Sequence, residues 1–351
     1  MQRSDMPEFY RSHQLILAPM AGVSDPAFRQ LCCEQGASLA FTEMVSAKGL
    51  SYGSEKTASL LGLGPQEEAV GVQIFGHEPL TMADQAARIA EHMGTSVAII
   101  DINMGCPVRK IVSKGDGAAL MADPARAESI VREVAHSLEG SGIPLTVKFR
   151  RGYEMGAETA PEFAKRMEQA GAWAITVHGR YAQQMYRGHS SDDAIARVVS
   201  AVQVPVVGNG DVNSAMRADS LKRQTGCSAL MIARAAEGNP WIFRQCAAAL
   251  AGMPIPAAPT FEERLAMGKR HALLLQEIEG PRIVKMRKHA MWYLTGIPGA
   301  SRARRLFNDC TTAADFCAVF DGVADYLQKR QDAAPSTRGA SPLRTGTEKG
   351  E

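Results

Sequence analysis

Residues 97–107 read Val-Ala-Ile-Ile-Asp-Ile-Asn-Met-Gly-Cys-Pro. The short apolar run at 97–102 ends in a Gly-Cys-Pro turn, where the proline holds the residue before it out of helical geometry. This reads as a buried strand running into a loop. Seven similar runs flank it, at 15–18, 39–42, 70–75, 145–148, 174–177, 204–207 and 229–232. They lack polar alternation, as parallel strands covered on both faces do. Helical patterns separate them, at 25–35, 79–93, 124–138, 160–170, 192–202 and 213–224. The first has Asp25 or Ser24 as cap and Pro26 in its first turn, and the second stops near Gly94. Eight strands alternating with helices predict an α/β fold closed into a (β/α)8 TIM barrel. An open doubly wound sheet is the alternative, but no GxGxxG follows the first strand.

Strand signals stop after about residue 238. Residues 253–260 (MPIPAAPT) read as a linker, and helices are expected at 261–279, 281–293 and 301–329. The expected organisation is a barrel over 1–252, a small all-helical domain over 253–330, and a tail over 331–351. That tail is rich in Ser, Thr, Gly, Pro and charge and has little to bury, so disorder is expected there.

The chain has 351 residues, 45% apolar and 22% charged, which excludes collagen-like and wholly disordered classes. No window approaches the roughly 18 apolar residues of a membrane span, and residues 1–14 hold no apolar run of signal-peptide length. A cytoplasmic protein with no membrane partner is expected, and a monomer. Net charge is +2, from 39 basic and 37 acidic residues, so the distribution of charge must decide whether nucleic acid is a partner. The seven cysteines show no CxxC spacing, which argues against a disulfide framework or a zinc site, and no metal is expected.

Function in such a barrel sits at the C-terminal strand ends. Those ends hold Pro19-Met20-Ala21, Gln73, Asn103 with Cys106, Lys148, His178 with Arg180, Asn209-Gly210-Asp211, and Ala233-Arg234. The last two ends suit a phosphate, through close backbone approach at Gly208 and Gly210 and a guanidinium fork from Arg234. Lys148 closes a buried strand and needs an anion. It fits either a Schiff-base role or a counter-charge to a cofactor, with a rim lysine reaching solvent as the ordinary alternative. Cys106 sits at a restrained turn, and a thiol of ordinary pKa is protonated at neutral pH and fit to be a general acid. A buried structural cysteine is the other reading, and it suits the remaining six better.

Together these ends resemble the tRNA-dihydrouridine synthases, flavin enzymes of the (β/α)8 class. The matching segments include LAPMAGVSDPAFR (17–29), TEMVSA (42–47), VQIFG (72–76), DINMGCPVRK (101–110), GAALM (117–121), TVKFR (146–150), TVHGR (176–180), VVGNGDV (206–212) and MIARAAEGNPWIF (231–243). The segment MRKHAMWYLTGIPGA (286–300) is most similar to the B-type bacterial branch. The resemblance implies FMN across the barrel mouth, with NADPH (or NADH) as reductant and a D-loop uridine of tRNA as substrate. Pro19, Met20 and Ala21 would line the flavin ring and Gln73 would bond its edge. Lys148 would neutralise the reduced ring, with His178 beside it. Asn209, Gly210, Asp211, Ala233 and Arg234 would hold the phosphate end. Asn103 would place the uracil and Cys106 would protonate it, with Arg180 at the substrate. The sequence departs from the family pattern at Ala233 (usually Gly), at Tyr181-Ala182 (usually Thr-Arg), at Ser190-Ser191-Asp192, and at Asp116 before GAALM.

The C-terminal segment points to RNA on its own. Between 281 and 305 lie Arg282, Lys285, Arg287, Lys288, Arg302, Arg304 and Arg305, with Trp292 and Tyr293 among them and no acidic residue. A local basic cluster is an electrostatic footprint for phosphate backbones, and Lys285, Arg287 and Arg304 are the expected contacts. A solvated helix face over core aromatics is the alternative. Rival functions are an FMN barrel dehydrogenase of a free pyrimidine or dihydroorotate, a lysine aldolase, and a non-catalytic RNA-binding protein.

Overall fold

The computed structural model describes residues 1–332. Nine short strands form one parallel sheet: Leu15–Leu17 (β1), Leu39–Ala40 (β2), Val45–Ser46 (β3), Val70–Phe75 (β4), Val97–Met104 (β5), Leu145–Gly152 (β6), Ala174–Tyr181 (β7), Val206–Asn209 (β8) and Ala229–Ile232 (β9). Their order is β2-β1-β9-β8-β7-β6-β5-β4-β3. β2 pairs with β1, β3 pairs with β4, and a bridge joins Phe41 to Gly71. β2 and β3 are therefore two halves of one stave, and they close the sheet into the (β/α)8 barrel. Of the expected strand at 39–42 only Leu39–Ala40 pairs with β1, while Phe41 bridges to Gly71 and sets its ring against the β4 backbone. A Cβ at residue 71 would sit 2.5 Å from that ring, so only glycine fits there.

The expected lack of polar alternation holds for the lower barrel and fails for the upper. β5 to β7 run up to four residues past the apolar runs. Toward the upper ends of these strands Asp101 and Asn103, then Thr146, Lys148 and Arg150, then Thr176 and His178 occupy every second position, the last of each set lying in the extension. Residues two apart share a face of a strand, so these side chains point into the barrel while Ile102, Val147 and Val177 face the helices. Lower down, the lumen is filled by Ile16, Leu39, Phe41, Ile99, Ala174, Val207 and Ala229, and Met231 caps this cluster from above. Met6 and Tyr10 of the helix Met6–Ser12 join that cluster and plug the barrel floor.

The barrel helices start where their caps dictate. Pro26–Glu34 begins with the Asp25 side chain accepting from the Phe28 N–H at 3.0 Å. On that helix, Arg29 makes a buried bidentate pair with Glu67, at 2.7 and 2.6 Å. Removing either partner would strand a buried charge, at a cost of about 3–5 kcal/mol.

Beyond the barrel, helices Phe261–Glu279, Met286–Tyr293, Ala300–Leu306 and Ala313–Asp332 build a second core around Leu275, Tyr293, Phe307, Phe316 and Phe320. Ala27 and Leu31 of the first barrel helix belong to this core, so the two parts share a packed seam. At that seam the buried Asp25 carboxylate accepts from His289 Nε2 at 3.1 Å and lies 3.8 Å from His271 Nε2. Two expected helices differ from the structure. Residues 281–285 are not helical, because the Ile283 N–H goes instead to the Thr311 carbonyl at 2.8 Å. The expected helix at 301–329 is two helices, because Asp315 accepts from the Thr311 and Thr312 N–H groups and starts a new one. Gln331 and Asp332 close the last helix, and the rest of the expected disordered tail lies outside the described residues. Among the described residues, no helix is long and apolar enough to cross a membrane.

Candidate active site

The polar upper layers of the barrel open into a cleft of about 640 Å³. Its wall includes Pro19, Met20, Ala21, Gln73, Asn103, Cys106, Lys148, His178, Arg180, Asn209, Gly210, Asp211, Ala233 and Arg234, all singled out from the sequence; Gly208 does not line it, and a Cβ there would instead meet Cys227 Sγ at 3.0 Å. Strand register sets the layers. Gln73, Asp101 and Thr146 are level with one another, and Arg150, His178, Asn209 and Met231 form a higher layer.

One hydrogen-bond chain runs from the barrel interior to the cysteine. Thr146 Oγ1 and Gln73 Nε2 donate to Asp101, at 2.6 and 2.7 Å. Asn103 Nδ2 donates to Gln73 Oε1 at 2.7 Å, and Asn103 Oδ1 accepts the N–H groups of Gly105 and Cys106, at 3.1 and 2.9 Å. The amides of Gln73 and Asn103 are thus locked in one orientation, and the Cys106 backbone is tied to β5. Burial pushes the Asp101 carboxyl up to about 6, against the two hydrogen bonds and the nearby Lys148 charge. Burial likewise raises the Cys106 thiol above its ordinary value, despite the Val108 N–H and the charges of Arg150 and Lys148. The thiol therefore keeps its proton at neutral pH.

Cations dominate the rest of the wall. Lys148 Nζ donates to Asn209 Oδ1 at 3.1 Å, and among the described residues it has no carboxylate partner within ion-pair distance. Burial and Arg150 pull its ammonium down to about 8. His178 is held well below its usual range by burial and by Lys148, Arg150, Arg180 and Arg234, so its ring is neutral at pH 7. A neutral ring adds no charge and remains able to hydrogen-bond. Arg234 is half exposed at the rim, its guanidinium 4.6 Å from the Tyr186 ring centroid.

Two assigned residues point differently from what the sequence suggested. The Arg180 guanidinium is turned inward onto Asp211 at 2.7 Å and onto the Gly188 carbonyl at 2.7 Å. Asp211 also accepts the Ser190 N–H at 2.8 Å. The pair acts as a strut that fixes the loops after β7 and β8. Gly210 between them has φ +128°, and a Cβ there would lie 2.1 Å from Ser190 Oγ. Only glycine allows this close approach of the two loops.

Sequence reading missed Arg150, Tyr186 and Glu237, which also line the cleft, and placed Lys288 only in the basic cluster of the helical part. Arg150 lies two residues after Lys148, a period-2 signal that it shares the lumen face. It donates to the Gly105 carbonyl at 2.7 Å and so braces the Cys106 turn. Lys288 is contributed by the helical part, its ammonium 5.1 Å from the Trp292 ring centroid. Lys285, Arg287 and Arg304 lie outside the cleft. Lys285 pairs with Glu279 at 2.6 Å, and Arg287 Nε donates to the Cys310 carbonyl at 3.0 Å.

Fold and site together define a (β/α)8-barrel enzyme whose chemistry sits at the C-terminal mouth of the barrel. The family described as dihydrouridine synthase (Dus) matches residues 16–330. The chain is 39% identical over 324 residues to tRNA-dihydrouridine synthase B of Pseudomonas aeruginosa, covering 91% of this chain and 94% of that one. It is 40% identical over 308 residues to the protein of that name from Pseudomonas syringae, with 87% and 89% covered. With the Vibrio parahaemolyticus protein of the same name it shares 37% over 319 residues, with 90% and 97% covered. This chain belongs to the dihydrouridine synthase family.

Proposed function

We propose that the protein reduces the C5–C6 bond of a D-loop uridine in tRNA to 5,6-dihydrouridine, as an FMN-dependent enzyme with NADPH (or NADH) as reductant. The observation that carries this reading is a thiol, Cys106, fixed by Asn103 in the same cleft as Lys148, which among the described residues lacks a carboxylate partner.

The residues present fit an anionic flavin. Lys148, Arg150 and Arg234 face the cleft, and Asp211, one of its carboxylates, is already occupied by Arg180. Pro19, Met20 and Ala21 give an apolar wall for a flat ring, while Asn209, Gly210, Ala233 and Arg234 suit its phosphate end. Held there, FMN would supply the hydride chemistry at uracil C6, with the nicotinamide as the source of its electrons. Lys148 would set its positive charge against the negative charge of the reduced flavin. Asn103 orients the base, and Cys106 gives its proton to C5. The uridine has to leave its stack to reach a site this deep. In this reading the helical part binds the tRNA backbone, with Arg304 available as an exposed cation and Lys288 at the cleft rim.

The visible spectrum of the purified protein tests the cofactor. Incubation with NADPH and tRNA from a strain lacking the modification tests the reaction, since one uridine should gain two hydrogen atoms. Reduction of free uracil or dihydroorotate chemistry without action on tRNA would favour the dehydrogenase alternative instead.

A further inference from the structure

The loop that carries Cys106 is held at two points, and both lead back to β4. On one side, Asn103 holds the Cys106 N–H and is itself held by Gln73 of β4. On the other, the Cys106 carbonyl accepts the Ala118 N–H at 3.0 Å. Gly117, with φ +60°, lies so close that a Cβ there would sit 2.8 Å from that carbonyl oxygen and 3.2 Å from Cys106 Cβ. Between these points the chain swings out through the exposed residues Val108, Arg109 and Lys110. What fixes its return is Asp116. Its buried carboxylate accepts from His77 Nδ1 at 2.7 Å, and His77 stands four residues beyond Gln73, just past the end of β4. The His77 ring also packs against Gly115, and its Nε2 lies 3.3 Å from Glu78 Oε1. Arg126 donates to the His77 carbonyl at 3.4 Å. Asp116 is one of the departures from the family pattern, and His77 is its structural counterpart.

We propose that His77 and Asp116 are a positioning pair for the Cys106 thiol. They clamp the return of the catalytic loop to the stave that already holds its entry through Gln73 and Asn103. The proposal rests on the reading of Cys106 as proton donor. Neither residue touches the substrate, so each acts on the rate of the proton-transfer step and not on tRNA affinity.

The test uses the full-length flavoprotein, pre-reduced, with tRNA lacking dihydrouridine, and His77→Ala, Asp116→Ala, the double variant and His77→Asn. Each alanine variant should lower the limiting single-turnover rate about 10-fold, the scale of a small misplacement of a reacting group. The tRNA concentration at half-maximal rate should not change. The double variant should be no slower than either single one, since one hydrogen bond is lost in all three. His77→Asn should restore most of the rate, because its amide nitrogen can stand where Nδ1 stood. A second readout needs no substrate: peptide-resolved alkylation of Cys106 by iodoacetamide should be several-fold faster in the alanine variants. An unchanged limiting rate in His77→Ala, or His77→Asn as slow as His77→Ala, overturns the proposal. If the parent does not reduce tRNA, the functional reading fails, and alkylation alone decides the pair: an unchanged rate overturns it.

Discussion

The barrel mouth and the helical part both carry clustered cations, and they use them in opposite ways. At the mouth, Lys148 and Arg234 are held by register and loops; among the described residues Lys148 has no carboxylate within ion-pair distance and Arg234 has only a long contact with Asp211 at 4.0 Å, so their charge is directed at whatever enters. In the helical part, Lys285 is tied to Glu279, and Arg287 to a carbonyl of its own core. Basic residues near one another in sequence thus become a site only where the backbone aims them at one point. The barrel's strand ends do so, and the helical surface leaves its cations spread.

This contrast predicts a ranking of effects. Lys148→Met should be the most damaging of the cation changes, lowering turnover by about 100-fold or more, because a charge preorganised in a water-poor cleft is removed. Stopped-flow reduction by NADPH measures it, and a near-parental rate would break the contrast. Arg234→Ala should weaken FMN binding by about 10- to 100-fold, the worth of one charge-assisted contact at a half-exposed rim. Dialysis followed by absorbance reads this out, and undiminished occupancy would remove Arg234 from the phosphate end.

The helical cations should matter less. Neutralising Lys285, Arg287 and Arg304 together should reduce the salt slope of tRNA binding by about one, not three, because two of them are already engaged within the protein. A loss of about three would mean that these partners are exchanged for phosphates on binding. Flavin reduction should be untouched.

The smallest expected effect lies at the seam. Burial, with the neighbouring His271, pulls His289 down to about 4. Between pH 6.5 and 4 the unfolded chain therefore binds a proton that the folded chain refuses, and stability falls as pH drops through that window. His289→Gln keeps a donor toward Asp25 and removes the titration. Its Tm should decline less than the parent's across that range, and parallel profiles would show that His289 is not the group responsible.

The same contrast explains what the sequence made legible. Helices 79–93, 160–170 and 261–279 lie where proline, glycine and the Thr260–Glu263 capping box place them. The strand-end residues of the cleft were readable because a barrel brings all strand C-termini to one face. Arg150 was hidden because β6 runs on past the apolar residues that mark the strand, so only its period-2 spacing from Lys148 signals the lumen face. Tyr186 lies in an irregular loop with no periodic signal. In the helical part, the break at 307–312 carried a readable Thr312-x-x-Asp315 cap, whereas the irregular 281–285 depends on a tertiary bond to Thr311 that no local pattern reveals. Whether Lys285 faces solvent or Glu279 is likewise a matter of side-chain contact and not of composition.

The central claim is that Cys106, and not its surroundings alone, completes the reaction at the barrel mouth. Single-turnover reduction of tRNA by pre-reduced Cys106→Ala tests it most directly, with Cys227→Ala and Cys246→Ala as controls that should retain activity. FMN content and NADPH oxidation should stay at parental levels, while dihydrouridine formation falls about 10²–10⁴-fold, the usual worth of a placed proton donor. A Cys106→Ala protein that reduces tRNA at the parental rate would contradict the account.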